Sequence, residues 1–180
     1  MTSVVRALES SGVEYVIVGG IAAMRYGRAR LTYDVDVIVL LGEGDLERLL
    51  SSLKAKGFLV ERRELERAFR EGTHVTIFHG DYPLLHMDLR EAKTELDVEV
   101  LNGRRREHLY CCEAWLESPE DLVVAKLVYG SQADLEDAGA VLLSKFAEMD
   151  VEKLRKKAEK FGVREKLEAL CEKLDIILGR

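Results

Sequence analysis

The chain has 180 residues, enough to bury a substantial core in one domain or in a domain with a helical appendage. It is 47% hydrophobic and 33% charged, with 14 Gly and 2 Pro, a folded-protein composition that sets aside disorder over most of the length. Its 27 Lys and Arg against 33 Asp and Glu give a formal charge of -6, which argues against a chain whose main work is coating nucleic acid. A local basic groove stays open, from Arg25, Arg28 and Arg30, from Arg62, Arg63, Arg67 and Arg70, from residues 104–106, or from the lysines between 153 and 166.

Val4, Val5 and Leu8 predict a short amphipathic helix that Ser11-Gly12 ends. Residues 15–18 read as a buried strand stopping at Gly19-Gly20, and residues 21–26 as a helix stopped by Gly27. The second strand is DVDVIVLL, residues 34–41. A helix over 45–56 follows, its stripe of Leu46, Leu49, Leu50 and Leu53 suited to covering a sheet. Residues 58–60 read as a short strand, 61–70 as a short helix or exposed connection, 73–78 as a strand, 79–83 as a turn and 84–89 as a further strand. Residues 94–112 give no clear pattern. Ser118 before Pro119, with Asp121 in the first turn, starts a helical region with helices expected at 119–129, 132–147, 150–160 and 163–177. The early alternation of strand and helix favours a mixed α/β sheet, so the expected architecture is an α/β core over 1–117 with a helical region, 118–180, packed on it.

No run of about 18 apolar residues appears, and the first residues lack the apolar stretch of a secretory signal, so a cytoplasmic protein is expected. Cys111, Cys112 and Cys171 form no C-x-x-C pair and read as small buried groups rather than a disulfide framework.

The chemistry lies in the second strand. Alternate side chains of a strand share a face, so Asp34 and Asp36 project together while Val35, Val37 and Val39 enter the core. Paired carboxylates repel, a bound cation removes that cost, and hard oxygen ligands select Mg2+ or Mn2+. The same alternation puts Asp88 on the face opposite Leu85, Met87 and Leu89; beside residues 34–39 it completes a three-carboxylate cluster, a set able to hold two ions about 3.5–4 Å apart. Gly19-Gly20, at a strand-to-helix junction, permits close approach of a ligand's phosphates. Neither a dinucleotide fingerprint nor a P-loop occurs.

Together, VGGIAAMRYGRARLTYDVDVIV (18–39) resembles the opening motif of the nucleotidyltransferase superfamily, in its small bacterial and archaeal members related to AbiEii-type toxins. The parts are Gly19-Gly20, then Arg30-Leu31-Thr32-Tyr33-Asp34-Val35-Asp36, and the later Met87-Asp88-Leu89. SPEDLVVAKLVYGSQADLEDAGAVL (118–142) resembles the helical segment of the same superfamily, matching Lys126, Asp134 and Asp137. The chain departs from it at Ser131-Gln132-Ala133, where many relatives carry an Arg and a Lys.

The resemblance implies the nucleotidyltransferase fold, a mixed sheet flanked by helices. It further implies Mg2+ or Mn2+ on Asp34, Asp36 and Asp88, and transfer of a nucleoside monophosphate from a nucleoside triphosphate, ATP among them, to RNA, protein or a small molecule. Gly19, Gly20 and Thr32 would meet the nucleotide, Lys126 would approach its phosphates or pair with a carboxylate, and Asp134 and Asp137 would support the helix packing and Lys126. Arg28 and Arg30 would either meet charge on the leaving pyrophosphate or pair with Asp34, Glu14 or a helix end. A toxin or antitoxin partner is a further implication. The competing expectation is a non-catalytic nucleotide- or partner-binding domain of the same fold, motivated by the acidic total and the missing basic hairpin. His74, His79 and His86 lack zinc-ligand spacing and read as polar or partly buried, Tyr33 as a residue able to stack on a base, and Trp115 and Tyr110 as packing residues.

Overall fold

The computed structural model describes residues 1–28, 32, 34–82, 84–109 and 112–178. By backbone contacts the chain forms two compact units, Met1–Ile21 with Thr32–Leu116, and Ala22–Leu31 with Glu117–Arg180.

In the first unit, α1 (Thr2–Ser11) buries Val4, Val5, Ala7 and Leu8 and ends at Gly12, whose φ of 66° is the left-handed stop that glycine takes without penalty. β1 (Glu14–Val18) buries Tyr15, Val16 and Ile17, and the chain leaves it through Gly19 into α2 (Gly20–Arg25), which runs on into the second unit. β2 (Asp34–Leu40) buries Val35, Val37, Ile38 and Val39, so beyond its two aspartates it is apolar on both faces. α3 (Asp45–Ala55) buries Leu49, Leu50 and Leu53 and packs on α1. After β3 (Phe58–Leu59), α4 (Arg62–Glu71) buries Leu65, Ala68 and Phe69 against β4 (Val75–His79) and β5 (His86–Glu91).

The stretch without a clear sequence pattern holds α5 (Glu95–Gly103) and the antiparallel pair β6 (Arg105–Leu109) and β7 (Cys112–Leu116). α5 starts on a capping box: the Thr94 hydroxyl accepts from the Asp97 amide at 3.1 Å, and the Asp97 carboxylate accepts from the Thr94 amide at 2.9 Å. Asp97 also accepts from the Lys93 amide and pairs with Arg90 of β5, which ties the helix start to the sheet. Val100 and Leu101 of α5 pack with Val16 and Ile38, covering part of one sheet face.

The sheet order is β3-β4-β5-β2-β1-β7-β6. β2 runs parallel to β5 and β1 parallel to β7, while the other neighbours are antiparallel, as expected of a mixed sheet. The strand expected over 84–89 begins two residues later, at His86.

In the second unit, α6 (Pro119–Tyr129) is capped by Ser118, whose hydroxyl accepts from the Asp121 amide at 3.2 Å, with Pro119 at the first helical position. It packs on α7 (Gln132–Lys145), α8 (Val151–Lys160) and α9 (Arg164–Lys173), and Leu122, Val123, Leu127, Val141 and Leu142 are buried. Lys157 of α8 pairs with buried Asp121, and buried Glu120 accepts from the Asp150 amide at 2.9 Å. Tyr26, just past α2, donates its hydroxyl to the Glu117 carbonyl at 2.9 Å. Among the described residues no helix is long and apolar enough to cross a membrane.

Candidate functional site

Strand register brings the three expected carboxylates together. The parallel pairing of β2 with β5 sets Asp36 opposite Asp88 and Asp34 opposite His86. Asp34, Asp36 and Asp88 are half-buried, and each offers an oxygen within 4.8 Å of the others. On the opposite face of the same strands Val35, Val37, Met87 and Leu89 are sealed in the core, so the sheet fixes which way the acids point.

Three neighbours hold this arrangement. The Thr32 hydroxyl donates to Asp34 Oδ1. Thr76, opposite Asp88 across the β4–β5 pair, donates its hydroxyl to Asp88 Oδ1 at 2.6 Å. Gly19, with φ 66°, lies against Asp36: a β-carbon there would stand 2.6 Å from Asp36 Oδ2. Thr32 is among the residues expected at the nucleotide, whereas Thr76 carries no local sequence signal. Its alternation with buried Ile77 on a strand facing Asp88 is legible only once the register is known.

The donor set suits a hard divalent cation. Three carboxylates this close repel one another, a positive ion offsets that repulsion, and all-oxygen ligation is what Mg2+ and Mn2+ take.

Arg28, Lys126, Asp134 and Asp137 gather in the second unit. Lys126 Nζ lies 2.8 Å from Asp134 and 3.1 Å from Asp137, and Arg28 Nε lies 3.2 Å from Asp137. Asp137 is fully buried, and two cations answer it. Burial disfavours the Lys126 ammonium, but the hydrogen bonds and charges of Asp134 and Asp137 outweigh it and raise its pKa. Burial likewise opposes the Asp134 carboxylate, and Lys126 with Ser131 more than compensates, lowering its pKa. Arg28 also pairs with Glu136 at 2.7 Å. At the position of departure, Ser131 caps α7 in a reciprocal box with Asp134. Arg30 and Tyr33 lie outside the described residues, as do Tyr110 and Cys111.

His79 is buried, its Nδ1 accepting from the Asp81 amide at 3.1 Å, and His86 lies beside Phe78 with ring centroids 5.5 Å apart. The guanidinium groups of Arg104 and Arg106 each lie over the Trp115 ring, 5.1 Å from a ring centroid.

No family model matches the chain, and no curated protein matches it. Solved structures do. The crystal structure of ANT(2'')-Ia in complex with adenylyl-2''-tobramycin is similar over 91% of this chain and 95% of its own, with a TM-score of 0.57 and 14% identity. The solution structure of the antibiotic-resistance factor ANT(2'')-Ia covers 97% of this chain and 94% of its own, at 0.53 and 15%. An antigenic nucleotidyltransferase-like protein from Paracoccidioides brasiliensis covers 94% and 91%, at 0.52 and 16%. With its mixed seven-stranded sheet, flanking helices and helical C-terminal region, the chain has the nucleotidyltransferase fold.

Proposed function

We propose that the chain is a metal-dependent nucleotidyltransferase that moves a nucleoside monophosphate from a nucleoside triphosphate to a hydroxyl acceptor. The observation that carries this reading is the convergence of Asp34, Asp36 and Asp88 from two adjacent strands onto one point. The fold supports it, since neighbours of this fold include a protein solved in complex with adenylyl-2''-tobramycin.

Asp34, Asp36 and Asp88 would hold Mg2+ or Mn2+. A divalent cation there supplies positive charge that lowers the pKa of an attacking hydroxyl and offsets charge on the phosphates. In the transfer, the acceptor oxygen forms a bond to the α-phosphorus, the bond from that phosphorus to the β-phosphate bridging oxygen breaks, and pyrophosphate leaves. A carboxylate of the cluster takes the hydroxyl proton. Gly19, without a β-carbon, lets the backbone lie directly against Asp36, and Gly19-Gly20 would meet the nucleotide's phosphates beside the acids.

The test is a screen of each α-labelled nucleoside triphosphate with Mg2+ or Mn2+ against total RNA and cell extract, following label into RNA, protein and small molecules. Transfer that disappears in Asp34→Asn and Asp36→Asn supports the reading and identifies the acceptor. Transfer that persists in both overturns it, and nucleotide binding without any transfer assigns the chain to a binding-only role.

A further inference from the structure

We propose that Thr76 is a positioning residue for the carboxylate cluster: its hydroxyl fixes the orientation in which Asp88 joins Asp34 and Asp36. This rests on the reading of those three acids as a cation site. Asp88 is the member of the cluster borne by a different strand, β5, and its like-charged neighbours on β2 push it away. An aspartate turns about χ2 with only a broad preference, so without a donor that repulsion rotates the carboxylate out of the cluster. Thr76 sits directly across the β4–β5 pair and donates to Asp88 Oδ1 at 2.6 Å, a charge-assisted hydrogen bond. As a β-branched residue on a strand, it has few rotamers and places the hydroxyl firmly.

A packing role does not explain the residue. Thr76 is exposed, and its neighbour Ile77 is the one that enters the core. Valine in its place keeps the shape and strand preference and loses only the donor. Thr32 repeats the device on Asp34, so two of the three acids each accept from a threonine hydroxyl.

The experiment is Mn2+ binding to the full chain by titration calorimetry, without nucleotide or acceptor, for the unsubstituted protein, Thr76→Val and Thr76→Ser, with melting of each recorded in chelator. Thr76→Val is expected to weaken Mn2+ binding about tenfold, the usual consequence of removing a hydrogen-bond partner of a metal ligand. Thr76→Ser restores binding, and melting in chelator stays the same across the three. Equal Mn2+ affinity for Thr76→Val and the unsubstituted protein overturns the proposal and leaves the reading of the site intact. A loss that serine does not restore assigns the effect to the methyl group and also overturns it. An unsubstituted protein that binds no Mn2+ overturns the cation site and the proposal together.

Discussion

Gly19 lies so close to Asp36 that a β-carbon on it would stand 2.6 Å from the carboxylate oxygen Oδ2, well inside contact distance. Its φ of 66° is in the left-handed region, where any side chain adds strain of about 1–2 kcal/mol. Gly19→Ala is therefore expected to lower the urea midpoint and, by displacing Asp36, to weaken Mn2+ binding. Unchanged Mn2+ affinity in a destabilised variant would separate the backbone effect from the site and refute the second half of the prediction.

The repulsion within the cluster predicts an asymmetry between stability and binding. Asparagine at position 34 keeps an oxygen able to accept from Thr32 but removes one of three charges held within 4.8 Å. In chelator Asp34→Asn should melt no lower than the unsubstituted protein. With Mg2+ at a hundredfold excess over its dissociation constant, the unsubstituted protein gains about 2.7 kcal/mol by mass action, and the variant should show little of that rise. Equal metal-induced shifts in calorimetric melting would contradict the assignment.

The strands carrying Asp34, Asp36 and Asp88 were legible because alternation and apolar runs are local signals, and the buried Val35, Val37, Ile38 and Val39 follow from them. The convergence of Asp88 on the pair depended on β2 and β5 being neighbours, which the resemblance suggested and periodicity alone does not supply. Thr76 stayed hidden for the same reason: its meaning lies in a partner 12 positions away in the chain. α5 was missed although Thr94-Glu95-Leu96-Asp97 spells a capping box, with Asp standing where Glu or Gln is the commoner third residue. The β6–β7 pair that follows is mostly charged on its first strand, so its alternation is not one of apolar against polar. The ion pair of Lys157 with Asp121 joins residues of separate helices, and single-helix patterns carry no trace of it.

Lys126 and Arg28 together neutralise Asp137, a carboxylate with no solvent exposure. Lys126→Met removes one of the two cations and leaves Asp134 with its Ser131 partners. Breaking a buried pair from one side costs about 3–5 kcal/mol, and the lower end is expected because Arg28 remains. Adding Asp137→Asn to Lys126→Met should recover part of the loss, a coupling of about 0.5–3 kcal/mol in a double-mutant cycle read by urea unfolding. Strictly additive losses would show that the two residues do not act as a pair.

Asp97 makes acid sensitivity predictable in sign. Burial pushes its pKa up, but the Thr94 and Lys93 amides and the Arg90 guanidinium outweigh that, and the net shift is downward. A carboxyl whose folded pKa is depressed adds stability that is fully present above its unfolded value, about 3.9, and is lost as pH falls through the folded value. The unsubstituted protein should therefore lose this contribution only in the acid range below about pH 5. Asp97→Asn should be less stable near neutrality and should converge on the unsubstituted protein as pH falls below the folded pKa of Asp97. Urea midpoints taken in chelator from neutral to strongly acid pH measure the gap; chelator leaves the cluster metal-free in both proteins, so its titration is common to them. A gap that stays constant down to the acid limit would mean that Asp97 acts through shape alone, with no part for its charge against Arg90 and the start of α5.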